Sequence, residues 1–164
     1  MSMSVALQKE LQQTKPFASL QEAAHLAVLV TAERFKTNAS HIFKTKDLTP
    51  AQYNVLRILR GAGEEGISCT DISGRMITRD SDITRMLDRL EARGLITRRR
   101  QANDRRVVKA FISEAGLEVL NDLDGPLSTF NQDQMAGLSE KELNSLIKLL
   151  EKARGNITNM GDNL

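Results

Sequence analysis

Apolar residues return at three- and four-residue steps through residues 19–45: Leu20, Ala23, Ala24, Ala27, Val28, Thr31, Phe35, Ala39 and Ile42. That spacing places them on one stripe of a long helix. Upstream, Val5–Gln13 reads as a short helix that Pro16 stops. Downstream, Thr49-Pro50-Ala51-Gln52 supplies a capping threonine, a proline at the first helical position and a glutamine placed to close a capping box. The helix it opens carries Val55, Leu56, Ile58 and Leu59 until Gly61 and Gly63 end it. Ser68-Cys69-Thr70-Asp71 is a second cap of this kind and opens a short helix through Ile72 to about Met76. Thr78 is the expected cap of the next helix, which Gly94 closes.

In that helix Ile83, Leu87 and Leu90 form the inward face, with Met86 at its margin. Ser81, Asp82, Arg85 and Arg89 turn outward. Two helices joined by a tight connection, the second with a polar and basic outer face, make a helix-turn-helix. Leu95–Arg100 and Val107–Ile112 then read as strands, and the intervening QANDRR supplies turn residues. Ser113 caps a helix containing Leu117, Val119, Leu120 and Leu123, which Gly125-Pro126 is expected to kink or interrupt. Finally Ser139-Glu140-Lys141-Glu142 opens a helix with Leu143, Leu146, Ile147 and Leu150 on one stripe and Gly155 as its stop. The expected fold is mainly α, with a small antiparallel hairpin beside the helix-turn-helix.

Charge sharpens this picture. Across all 164 residues Lys and Arg exceed Asp and Glu by only two. Residues 75–109, however, hold eleven basic groups against five acidic ones, a local +6 that leaves −4 for the remainder. Ten of the eleven are arginine, whose planar guanidinium suits phosphate and base edges in a way a solvated lysine surface does not. A helix sized for a major groove beside a basic hairpin is a reader of double-stranded DNA. Trp is absent and Tyr occurs once, which disfavours stacking on single strands.

Other chemistry finds little support. The chain lacks a glycine-rich phosphate loop, a G-x-S-x-G elbow and a metal-binding triad, so an enzyme is not indicated. His25 and His41 stand alone on the long helix, and neither a metal nor another cofactor is expected. Cys69 is the single cysteine, at a helix N-terminal turn where a thiol is easily activated. With no second cysteine to bridge, a small packed residue is the favoured reading over a redox sensor. One cysteine, and an N-terminus without the apolar core of a signal peptide, fit a cytoplasmic protein; the longest apolar runs are far too short for a bilayer.

The order of elements resembles the MarR family of winged helix-turn-helix regulators, from about residue 20 to 154. The sharpest stretch is DRLEARGLITRRRQANDRRVVKAFISEAG, with the wing's D-x-R at Asp104-Arg105-Arg106 and Ile112-Ser113-Glu114-Ala115-Gly116 after it. GLSEKEL, residues 137–143, is similar to the opening of the family's last helix. The resemblance implies one domain over 1–164: a DNA-binding lobe at 49–112 between dimerisation helices at 19–45 and 114–154. It further implies that the recognition helix offers Arg79, Ser81, Asp82, Thr84 and Arg85 to base edges. Arg85 is the foremost candidate, since arginine can pair with both guanine acceptors. Asp82 either accepts from a cytosine amino group or orients Arg85 or Arg79. Arg89 and Arg93 suit phosphate contact or solvent.

At the wing the resemblance assigns Arg106, flanked by Arg105, to a minor groove, with Asp104 fixing an arginine of the wing or recognition helix. Arg98, Arg99 and Arg100 alternate across a strand, so at least one of them must be structural or solvated. Leu143, Leu146, Ile147 and Leu150 are the expected dimer contacts. The function implied is a homodimeric repressor of a pseudo-palindromic operator, relieved by a small ligand of aromatic type. The competing reading is a winged-helix architectural or protein-interaction module with little sequence preference.

Overall fold

A computed structural model of the chain describes the backbone of residues 5–78, 82–101 and 107–161, with side chains as far as residue 155. The elements are α1 (Val5–Glu10), α2 (Leu20–Lys44), α3 (Pro50–Ala62), a 3₁₀ turn (Gly63–Glu65), β1 (Ile67–Ser68), α4 (Cys69–Arg75), α5 (Ile83–Ala92), β2 (Ile96–Arg100), β3 (Val108–Ile112), α6 (Glu114–Met135) and α7 (Glu140–Gly161). They fall into two compact units, residues 1–125 and 126–164. The fold is mainly helical with one small antiparallel sheet, as the pattern predicts.

The caps legible in the sequence are made. Thr49 Oγ1 accepts from Gln52 N at 3.1 Å and Gln52 Oε1 accepts from Thr49 N at 2.9 Å, a closed capping box with Pro50 inside it. Ser68 Oγ accepts from Asp71 N at 3.1 Å and opens α4. Ser19 does the same for α2, accepting from Glu22 N. Gly94 takes the left-handed conformation, φ +70°, that ends α5.

The core of the first unit gathers on α3. Val55, Leu56 and Leu59 are fully buried there together with Ile72 of α4, Leu87 and Leu90 of α5, Ile96 of β2, and Leu120 and Leu123 of α6. The sheet runs in the order β1-β3-β2, so β3 is central. Its outer pair is the expected hairpin, with Ile96 opposite Ile112 and Arg100 opposite Val108. The third strand was not expected. Ile67 and Ser68 pair with Ala110 and Lys109, and two residues are too short to stand out in an apolar pattern. Gly66, at φ +60°, makes that turn, and a Cβ there would collide with the Phe111 ring. A small satellite core joins the chain start to α2. Leu7, Phe17 and Ala23 are buried against Leu26, Ala27 and Val30, and Glu10 pairs with Arg34 at 2.7 Å.

Several boundaries differ from expectation. α1 ends at Glu10, ahead of Pro16, as Gln12 enters positive φ. α5 begins at Ile83 with Asp82 at its N-cap position, so Thr78 is not the cap. Aspartate is as good a residue for that place, and it directly precedes the first buried position. Met86 is buried outright and not marginal. α6 continues through Pro126 without interruption. Leu120, Leu123 and Leu127 are all buried, so the apolar stripe persists on both sides of the proline and outweighs the lost hydrogen bond. α7 passes Gly155 and reaches Gly161. An isolated helical glycine costs only about 1 kcal/mol, too little to stop a helix alone.

In the second unit, Glu142 accepts from both the backbone N and the hydroxyl of Ser139, at 2.8 and 2.6 Å, and so ties down the start of α7. The hydrogen bonds from Ser139 hold the Glu142 carboxyl below its ordinary pKa. Leu143, Leu146 and Leu150 are half-buried, whereas Ile147 is 54% exposed and Leu149 66% exposed. No helix among the described residues is long and apolar enough to cross a membrane.

Candidate nucleic-acid interface

The recognition element is α5. Its buried face, Ile83, Met86, Leu87 and Leu90, fixes the helix on the core. The 3.6-residue period then forces Thr84, Arg85, Asp88 and Arg89 outward, and all four are exposed. The turn before it is pinned to α3, because Ile77 N donates to Asn54 Oδ1 at 2.9 Å.

Arg85 is 76% exposed along its side chain and stands 3.4 Å from the Asp82 carboxylate. Asp82 thus lies within reach of Arg85. Asp82, Arg85, Met86 and Arg89 face Thr49, Ala51 and Gln52 across an open recess of about 250 Å³. The N-terminus of α3 thus flanks the exposed face of α5. Arg79 and Ser81, the other expected base contacts, lie outside the described residues, as do Asp104, Arg105 and Arg106 of the wing tip.

The basic residues sort by the partners they find. Arg93, expected at phosphate or in solvent, is exposed and donates to the Asp47 and Lys46 carbonyls at 2.7 and 2.9 Å. It ties the end of α5 to the turn that follows α2. Its partners are backbone atoms 46 and 47 residues away in sequence, which no local pattern reveals. Lys109 donates to the Glu65 carbonyl at 3.0 Å.

The alternation along β2 resolves the arginine triplet. Arg99 points to the face away from α5 and lies over the Phe111 ring, 5.3 Å from its centre. Arg98 points toward α5 and is drawn into its carboxylates: Nε and Nη2 donate to Glu91 Oε2 at 2.9 and 2.6 Å, and Nη2 reaches Asp88 Oδ1 at 2.6 Å. The Arg98 backbone N donates to Glu91 Oε1 at 3.0 Å. These hydrogen bonds, that of Glu91 foremost, hold the guanidinium above its ordinary pKa. Arg100 has its Cβ on the same side as Arg98 and is exposed at the outer end of the strand. Gln101 N donates to Val107 O at 3.0 Å and closes the hairpin beyond it.

The wing is also fastened at its base. Ser113 N donates to Leu95 O, Ser113 Oγ donates to Gly94 O at 2.6 Å, and the same oxygen accepts from Gly116 N at 3.1 Å. α6 therefore starts on the very turn that ends α5. Gly116 must be glycine for this, since a Cβ would collide with the Leu95 carbonyl oxygen. Cys69 is half-buried at the first position of α4. Among the described residues, no three His, Cys, Asp or Glu side chains gather so as to hold a metal ion.

This architecture recurs in known proteins. A model of the MarR family matches residues 48–108, from the start of α3 to the wing. The transcriptional regulator MhqR of Bacillus subtilis is 30% identical over 112 residues, 68% of this chain and 75% of that protein. The transcriptional repressor IacR of Pseudomonas putida is 30% identical over 118 residues, 72% of this chain and 70% of its own. The crystal structure of a MarR transcription factor from Planctomyces limnophilus superposes with a TM-score of 0.64 at 39% identity, covering 83% of this chain and 98% of that one. The helix-turn-helix, the hairpin and these relatives agree: the chain belongs to the MarR family of winged-helix, DNA-binding regulators of transcription.

Proposed function

We propose that the chain is a homodimeric, sequence-specific repressor that binds a pseudo-palindromic operator. The observation that carries this reading is the face of α5. Thr84, Arg85 and Arg89 project together from a helix rigidly seated on the core, next to a hairpin that ends in the exposed Arg100. A helix so presented enters a major groove, and the hairpin reaches the flanking backbone or minor groove. Arg85 reads base edges, with Asp82 orienting it. Arg79, Ser81 and Thr84 supplement that contact. Arg89 meets phosphate, and Arg105 and Arg106 extend the wing contact with Asp104 steadying them.

Dimerisation supplies the second half-site. Leu143, Leu146, Ile147 and Leu150 of α7 form one apolar stripe, and Leu20, Val28 and Leu29 of α2 are 66%, 49% and 51% exposed. Apolar surface of this extent on terminal helices favours cover by a second copy. The lobe at 49–112 and the flanking helices 19–45 and 114–154 then act as one regulator domain, in the cytoplasm where its DNA lies. Relief of repression by a small, aromatic-type ligand rests on family membership.

Selection of bound fragments from a random DNA pool tests the reading. An enriched inverted repeat with half-sites one helical turn apart supports it. Enrichment without any motif would replace it with the architectural alternative.

A further inference from the structure

Arg98 is half-buried, 23% exposed along its side chain against 76% for Arg85. It sits midway along β2 and is held by two carboxylates of α5, Asp88 and Glu91, one helical turn apart. Glu91 also accepts from the Arg98 backbone, so strand and side chain are gripped by one residue.

The mechanical need for this is clear from the sheet. β1 pairs with Ala110 and Lys109 of β3, the partners of Arg98 and Arg99, so the sheet is three strands wide at Arg98 and only two beyond Arg99. β2 is an edge strand, so the outer part of the wing is a two-stranded ribbon, a form that is marginal on its own and twists readily. Ile96 anchors its base in the core. Beyond Ile96, Arg98 is the only β2 side chain bonded to α5 among the described residues. The outermost described pair of the hairpin, Gln101 and Val107, lies three residues further out, or roughly 10 Å at the rise of a strand. A tilt of about 10° at Arg98 would therefore displace that end of the hairpin by about 2 Å, enough to break a hydrogen bond.

We propose that Arg98, Asp88 and Glu91 form a positioning cluster that locks the wing to the recognition helix, so that both engage DNA in a single register. The inference rests on the DNA-binding reading above. Arg98 does not touch DNA in this scheme. It acts through the wing, and Asp88 and Glu91 act through Arg98. A simpler role, in which Arg98 merely neutralises two carboxylates near the phosphates, makes opposite predictions for the carboxylates. If shielding were all, removing a carboxylate would strengthen binding.

The test is a set of double-mutant cycles on the selected operator, with affinity measured for the full-length wild type, Arg98→Met, Arg98→Lys and Glu91→Gln, each with and without Arg106→Ala. Glu91→Gln keeps the shape of the residue and remains informative should Arg98→Met fold poorly. A positioning cluster requires that Arg98→Met and Glu91→Gln both weaken binding. Arg98→Lys, which keeps the charge and loses the fork, must fail to restore it. Arg106→Ala must then cost nothing further in either background, within about twofold. An undiminished Arg106→Ala effect, or tighter binding by Glu91→Gln, would overturn the cluster while leaving the DNA-binding reading intact. An Arg106→Ala variant that binds like wild type would instead remove the wing contact itself, and the cluster's role with it.

Discussion

Arg85→Ala separates recognition from folding because the structure leaves Arg85 so little to do in the free protein. Its side chain is 76% exposed, and its ion pair with Asp82 spans 3.4 Å on the helix surface. Pairs of that kind contribute about 0.2–1 kcal/mol at best, and many contribute nothing measurable. The variant should therefore unfold within about 0.5 kcal/mol of wild type in urea. On DNA the consequence is larger. A bidentate contact to guanine is worth about 1–3 kcal/mol of discrimination, or roughly 5- to 150-fold in Kd for each half-site. Anisotropy titrations at one fixed salt concentration, on the selected operator and on random DNA of equal length, read both quantities. The operator affinity should collapse toward the random-DNA value, which itself moves little. Equal weakening on both DNAs would refute base reading and make Arg85 a phosphate anchor. A large loss of stability would refute the premise that the residue is idle in the free fold.

Three further outcomes follow from particular contacts. Gly116→Ala drives a methyl group into the Leu95 carbonyl oxygen, so thermal melting should show a loss of about 1–3 kcal/mol; an unchanged melting temperature would mean the α5–α6 junction is looser than drawn. Asp124 accepts from Arg60 at 2.7 and 3.1 Å, and that hydrogen bond, foremost among its influences, lowers the Asp124 pKa. A depressed carboxylate stabilises the fold above its unfolded pKa of about 3.9 and loses that contribution as pH falls through its folded value. Both side chains are more than a third exposed, so Asp124→Asn should cost no more than about 1 kcal/mol at pH 7 and nothing near pH 2; a difference that grows on acidification would reverse the assignment. Leu146→Asp places a charge on the α7 stripe and should dissociate the dimer in sedimentation and abolish operator binding with Arg85 intact; tight binding to a full palindrome by a monomer would refute the dimer.

What was legible in the sequence was local. Thr49-Pro50-Ala51-Gln52, Ser68 and Gly94 act on their own neighbours, and each does what its spacing implies. What was not legible depends on partners distant along the chain. β1 exists because Ile67 and Ser68 meet Ala110 and Lys109, and α6 survives Pro126 because its stripe is buried on both sides. Gly116 looks like an ordinary glycine until the Leu95 carbonyl is set against it. Ionic partners are the hardest case. Asp88 and Glu91 look like solubilising charges on a helix face, and only the return of β2 turns them toward Arg98.

That last point changes what the basic stretch means. The local +6 of residues 75–109 suggests eleven cations available to a polyanion. Yet Arg93 is spent on two carbonyls, Arg98 on two carboxylates, Arg99 over Phe111 and Lys109 on Glu65. Arg98, whose fork is held by two carboxylates, would have to give up those bonds to close on a phosphate, whereas Arg93, Arg99 and Lys109 keep further N–H groups to donate. On the proposed reading, close contact falls to exposed side chains such as Arg85, Arg89 and Arg100, while Arg98 contributes its charge. On that reading Arg98 serves DNA binding at one remove, by holding the hairpin against the helix that carries Arg85 and Arg89.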